Sequence, residues 1–424
     1  MRPLMTTLLL SLLLTSGLTS GLALAHPPVS SPSLEFLPPD GMVSDLLAQD
    51  PVVKHAQAML NSAEAEARGR EAGPHEFTLH GEYHSRVTNV TGRLDEWAMG
   101  ISRGIRLPGK ADADTRIGRY TIAVAQNGYG DARHQTATLL KELWLAWVLA
   151  EDDVRLTKEE AASYERQLSA TQRARTLGET ATLNVEQVQA ALAQARVQAA
   201  QAEQARRDAR MTLERTFPGL TLPLGAPAMP DPAAPPGTWS EWHDAVLDDN
   251  HEIKLAQSEA DRREWMAKRA RMDQFADPTF DLRTFQDMGG HETGFGVGFS
   301  IPIGGALRQA SADQAGAEAT AASVTAHKVK RDVEIAAERD VINAQQGLEA
   351  WRQARAAATS STAMLARMQK AYELGDQGLT ELLIARRQDY DARRTEVHAR
   401  GSAHSAVLQL MIDSHRIWGL SDED

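Results

Sequence analysis

The residues best placed to do chemistry lie in one short stretch. His80, Glu82 and His84 alternate with less polar neighbours, with His75 and Glu76 just before them and Arg86 just after. Imidazole and carboxylate groups so close together suggest a metal site. The alternation argues against it. On a strand, four-residue spacing puts His80 and His84 on one face but roughly 13 Å apart, too far to share an ion. What remains is a polar face in contact with water, able at most to touch passing cations. A second pair, Glu373 and Asp376, flanks Leu374-Gly375. Copies of this pair in an oligomer would form a ring, and acidic rings favour cations. No phosphate-cradling glycine loop, nucleophile motif or HExxH pattern is present, so neither an enzyme nor a resident cofactor or metal is expected.

The elements carrying these residues read as two amphipathic hairpins. From Glu76 to Val87 one parity gives Phe77, Leu79, Gly81, Tyr83, Ser85 and Val87; the other gives Glu76, Thr78, His80, Glu82, His84 and Arg86. That is a period-2 pattern with one apolar and one strongly polar face. A second strand places Trp97, Met99, Ile101, Arg103, Ile105 and Leu107 opposite Glu96, Ala98, Gly100, Ser102, Gly104 and Arg106. Later, Phe280 and Leu282 oppose Asp281 and Arg283, and Phe295, Val297, Phe299 and Ile301 oppose a Gly/Ser parity. The turns are expected around Asn89–Asp95 and Met288–His291. Strands of this length can cross a bilayer at a tilt. Four strands cannot close a barrel, and open edges cannot face lipid. Three chains would pool twelve.

The remaining sequence predicts very long helices. From about residue 109 to Arg175, and again from Ala306 to Glu373, proline is absent and glycine is sparse. Some 65 residues at 1.5 Å each reach roughly 100 Å. Leu139, Leu143, Trp147, Ala150 and Val154 recur at spacings of three and four, as do Val341, Ala344, Leu348 and Trp351. Such narrow seams suit helices packed side by side. Each long helix should stop at a glycine turn, Leu177-Gly178-Glu179 or Leu374-Gly375-Asp376, and return as a second helix.

The chain is written twice. Val53-Lys54-His55-Ala56-Gln57 aligns with Ile253-Lys254-Leu255-Ala256-Gln257 about 200 residues later; Leu107-Pro108 aligns with Ile301-Pro302, and Leu177-Gly178 with Leu374-Gly375. Ordered matches define two repeats. The expected division is a signal peptide over 1–25, an extended segment over 26–42, and a first repeat over 43–217. The first repeat holds a helix over about Val43–Glu71, a β-hairpin over 76–107 and a helical hairpin over 109–217. A Pro-rich linker over 218–239 follows, then a second repeat over 240–420 with a helix over about Ser240–Phe275, a β-hairpin over 278–303 and a helical hairpin over 306–418. The signal reading rests on Arg2, an apolar run, and Ala23-Leu24-Ala25. After it, no apolar run is long enough for a spanning helix. There is no Cys, hence no disulfide and no lipid-anchor cysteine. The net charge of −12 is mixed in sign along the chain, and no nucleic-acid partner is expected.

In this order, and in double occurrence, the motifs resemble the TolC-like outer-membrane factor family. The motifs are the strand pairs ending in Leu107-Pro108 or Ile301-Pro302, and the tips Leu177-Gly178-x-x-x-x-Leu183 and Tyr372-x-Leu374-Gly375-x-x-x-Leu379-Thr380-Glu381-Leu382-Leu383. Short length, short external loops and Ala/Gln/Arg-rich helices resemble its heavy-metal, or cation efflux, branch. The resemblance implies a mainly α chain with membrane β: a tandem-duplicated protomer of a homotrimer, four strands per chain in a twelve-stranded barrel within outer-membrane lipid, continued by a long periplasmic α-helical barrel. It implies a passive efflux channel whose tips (Leu177, Gly178, Glu179, Leu374, Gly375 and Asp376) dock a periplasmic adaptor fed by an inner-membrane transporter of RND type. Glu373 and Asp376 would then rim the periplasmic mouth, and Glu76, His80, Glu82, His84 and Arg86 would line the barrel. Two other readings stand beside it: a drug-efflux or type I secretion channel, and a soluble periplasmic coiled-coil adaptor.

Overall fold

The computed structural model describes residues 34–420. The signal-peptide reading and residues 26–33 of the 26–42 segment lie outside the described residues. Helices α1 (Asp40–Gln49) and α2 (Pro51–Ala72) lead into strands β1 (Thr78–Thr88) and β2 (Gly92–Gly104), then α3 (Lys110–Thr176) and α4 (Thr182–Thr216). After the proline-rich crossing come α5 (Trp239–Asp248), α6 (His251–Met272), β3 (Thr279–Asp287), β4 (Glu292–Ser300), α7 (Ala306–Glu373) and α8 (Leu379–Asp413). The helices of the two halves match closely in length. α1 and α5 have 10 residues each, α2 and α6 have 22, α4 and α8 have 35, and α3 and α7 have 67 and 68.

The single opening helix expected in each half is in fact two. Pro51 has no N–H to continue α1, so the chain breaks and Asp50 caps α2, its Oδ1 accepting from Val52 N at 2.7 Å. The second half breaks without proline: Asn250 takes an extended backbone and its Oδ1 accepts from Ile253 N at 3.0 Å. The N-terminal segment is not extended up to residue 42. Phe36 and Leu37 are buried, Trp144 Nε1 donates to Phe36 O, and α1 starts at Asp40. The first hairpin turn is also tighter than expected. Gly92, at φ 75°, closes it, so Asp95 already pairs with Ser85.

The helices lie side by side in two tiers that share α3 and α7. On the strand side the order is α2, α3, α6, α7; toward the glycine turns it is α4, α3, α8, α7. The largest core sits where the tiers meet, around Leu47, Leu140, Trp147, Leu213, Trp242, Leu408 and Trp418. Truncating one of these fully buried tryptophans to Ala would cost about 3–5 kcal/mol. Elsewhere the seams are thin, as in Ala161, Tyr164, Leu192 and Ala195. Of the expected α3 seam, Trp147 and Val154 are buried, but Leu139 is exposed and Leu140 takes its place. Among the described residues no helix is long and apolar enough to cross a membrane.

Candidate functional site

The four strands form one antiparallel sheet in chain order, with β1 and β4 as open edges. Its register joins the two hairpins into continuous rungs. Leu79, Ile101, Leu282 and Val297 lie on one rung, and they are 73%, 41%, 47% and 69% exposed. Phe77, Tyr83, Met99, Phe280, Phe295 and Phe299 extend this bare apolar face. A water-soluble sheet would bury such a surface against a core. Among the described residues no α-helix packs over it.

The opposite face is polar and flat. His80, Gly100, Arg283 and Gly296 share one rung; Thr78, Ser102, Asp281 and Gly298 share the next but one. A Cβ on Gly100, Gly296 or Gly298 would run into the side chain of His80, Arg283 or Asp281. Glycine on β2 and β4 therefore gives the long polar chains of β1 and β3 room to lie along the sheet. His84 Nε2 lies 2.7 Å from Glu82 Oε1, and His80 Nε2 4.0 Å from Asp281 Oδ2. Arg86 pairs with Glu96 at 2.7 Å, and Glu96 accepts from Met288 N at 3.1 Å. His80, Glu82, His84 and Arg86 thus share this face, while exposed Glu76 precedes β1. His75 does not join them: its Nε2 lies 2.8 Å from Asp277 Oδ2. Among the described residues no group of three or more His, Asp or Glu is arranged to hold a metal ion.

Sheet and helices are joined by a buried ionic junction that the sequence does not announce. Lys110, the first residue of α3, is 1% exposed. Its Nζ donates to Phe275 O and Asp277 Oδ1, both at 2.7 Å, and lies 3.1 Å from Asp273 Oδ1. Asp277 also accepts from Leu107 N at 3.0 Å. Burial raises its pKa, but hydrogen bonds from Lys110, His75 and Leu107 N outweigh burial and bring it down to about 2. Beside it, Asp114 accepts from Arg106 at 3.2 Å and from Arg269 at 2.9 Å, and Arg106 also donates to Arg70 O and Glu71 O. Lys110 and Asp277, and Asp114 and Arg269, lie more than 150 residues apart in sequence, in different repeats, whereas Arg106 bonds within its own. Only the repeated Pro that follows each hairpin hints at a junction there.

At the other end the two helical hairpins close by the same turn. Gly178 N donates to Arg175 O and Glu179 N to Ala174 O; Gly375 N donates to Tyr372 O and Asp376 N to Ala371 O. Both glycines have φ 80°, and neither would meet any atom with an added Cβ. The backbone alone demands glycine there. Leu177 and Leu374 are 72% and 68% exposed at the extreme tips. Glu373 and Asp376 are exposed beside them. α4 and α8 align from Thr182 and Leu379, so Leu183 points to solvent, while Leu379 and Leu382 pack against Val188.

Residues 42–217 match the family model for outer membrane efflux proteins. The first repeat thus carries the sequence pattern of outer membrane efflux proteins, and the whole chain shares its fold with solved outer membrane channels. A membrane protein from Pseudomonas aeruginosa is similar at 17% identity and TM-score 0.75, over 90% of this chain and 91% of that one. The CmeC outer membrane channel of Campylobacter jejuni is similar at 15% identity and TM-score 0.73, over 91% of this chain and 86% of that one. CusC, whose structures describe transmembrane channel formation, is similar at 15% identity and TM-score 0.68, over 88% of this chain and 91% of that one. No curated protein matches the chain in sequence.

Proposed function

We propose that three copies pool their strands into a twelve-stranded barrel in the outer membrane, and that the trimer passively conducts heavy-metal cations outward from the periplasm. The observation that carries the reading is the open sheet with one bare apolar face and one polar face. Three copies would pair every edge, put the apolar face against lipid and turn the polar face inward. Glu82, Glu96, Asp281, Asp287 and Glu292 outnumber Arg86 and Arg283 on that inner face, which favours cations. Glu76 would stand at its periplasmic end. The hairpin turns are only a few residues long, as the cation branch has them.

An inner-membrane pump of RND type supplies the energy in this reading. A periplasmic adaptor packs on Leu177, Gly178, Glu179, Leu374, Gly375 and Asp376, and Glu373 with Asp376 rims the mouth. The test is growth of a deletion strain across zinc, cadmium, cobalt, copper and silver, alongside dyes, antibiotics and secreted protein yield. Metal sensitivity restored by the intact gene supports the cation reading. Sensitivity to dyes and antibiotics alone, or lost secretion, discards it for a drug or type I channel.

A further inference from the structure

Both repeats hand over from strand-side to tip-side helices at equivalent joints, and the joints differ in chemistry. In the second, the end of α8 meets the start of α6 against α3 and α7. Asp413, the last residue of α8, accepts from Gln409 Nε2 at 2.8 Å and lies 2.8 Å from His134 Nε2 on α3. The Asp340 carboxyl of α7 faces it within side-chain hydrogen-bonding reach. Lys141 of α3 donates to Gln409 Oε1. His415, in a left-handed backbone at φ 55°, brings its ring 5.8 Å from His134 and 4.7 Å from His251 of α6. Its Nδ1 lies 3.6 Å from Asp249 at the end of α5. Arg339 of α7, Asp131 and Glu142 of α3, and Glu252 of α6 complete the charges around the joint.

The duplication supplies an internal control. Aligning the repeats at their helix ends pairs Asp340 with Leu143, Asp413 with Thr216, His251 with Pro51 and His415 with Pro218. The first joint forms the same fold with no ionisable group at these four positions. The fold therefore does not need the second joint's charges.

We propose that the second joint is a proton-operated clasp: a proton shared by the Asp340 and Asp413 carboxyls ties α7 to the end of α8, and its loss in alkaline surroundings frees that joint. Burial, then the charge and hydrogen bond of Asp413, push Asp340 up to about 7, while Lys141 and Arg339 pull the other way without offsetting them. A carboxyl raised on folding stabilises fully below its ordinary value and loses that contribution as pH rises through the raised one. The clasp is therefore closed in mild acid and open above about pH 7. His415 does not supply the response: burial, His251 and His134 hold it down to about 4, below this window.

Hydrogen exchange on the full-length channel in detergent tests the clasp, with rates corrected for intrinsic pH dependence and read on peptides around 335–345 and 405–415. Between pH 5.5 and 8.5 local opening there should rise about tenfold, allowing for solvent screening at a partly exposed site. Peptides around 208–217 in the first joint should not respond. Asp340→Leu, which installs the first repeat's residue, should reduce the response below about twofold. Asp340→Asn, which keeps the shape, carries the same comparison should the Leu variant fail to fold. An unresponsive wild type, an equal response in the first joint, or a full response in either variant overturns the proposal.

Discussion

Replacing Lys110 with Met tests how the strands are held to the helices. The side chain is almost fully buried and its ammonium meets Asp277, Asp273 and Phe275 O. Methionine fills a similar volume but leaves the Asp277 carboxylate, 10% exposed, without its nearest cation. Breaking a buried pair from one side costs about 3–5 kcal/mol, because the remaining charge is stranded. His75 and Leu107 N still reach Asp277, so the lower end, about 3 kcal/mol, is expected. That equals roughly a hundredfold rise in local opening at 1.4 kcal/mol per decade. Hydrogen exchange of residues 104–114 and 275–281 in the detergent-solubilised protein reads it directly. Adding Asp277→Asn removes the stranded charge and should recover more than half of the loss. A silent Lys110→Met, or a double variant opening as readily as the single, would refute the charge argument.

Four other outcomes are expected. Leu282→Lys puts a charge at the centre of the apolar rung and should cost about 2–4 kcal/mol of barrel stability; heat resistance of the assembled oligomer on gels reports it, and an unchanged assembly denies that this face meets lipid. Gly296→Val should lift Arg283 off the sheet and lower single-channel conductance while sparing assembly; unchanged conductance would place that face elsewhere. Leu177→Asp with Leu374→Asp should abolish adaptor cross-linking while the oligomer persists, and intact cross-linking removes the tips from the interface. Glu373→Ala with Asp376→Ala should reduce conductance or cation preference in planar bilayers, and no change in either dismisses the acidic mouth.

The one-dimensional patterns were legible in the residues alone because each obeys a local period. Alternation over Phe77–Val87 and Phe295–Ile303 gave strands with an apolar and a polar face. Proline-free runs gave long helices, and Leu177-Gly178 and Leu374-Gly375 gave the turns, since only glycine takes φ near +80° without cost. The duplication showed because two copies of one pattern are compared within one chain. Boundaries set by a single side chain were missed, as at Asn250, where a cap competes with a helix that the periodicity would continue. The seam was misread by one residue at Leu139, because a helix packed on several neighbours has more than one plausible stripe.

What the chain order could not convey is which distant residues meet. Lys110 with Asp277, Arg269 with Asp114, Asp340 with Asp413, and Asp413 with His134 join elements of different repeats or opposite ends of a repeat. No period relates them, and each looks like an ordinary solvated charge until packing removes the water. The same holds for the glycines of β4. In sequence they weaken a strand; in the sheet they are the floor on which Asp281 and Arg283 lie. Local backbone chemistry chose the elements of this protein. Burial and register, which exist only once α2 to α8 are laid side by side, decided which of its charges matter.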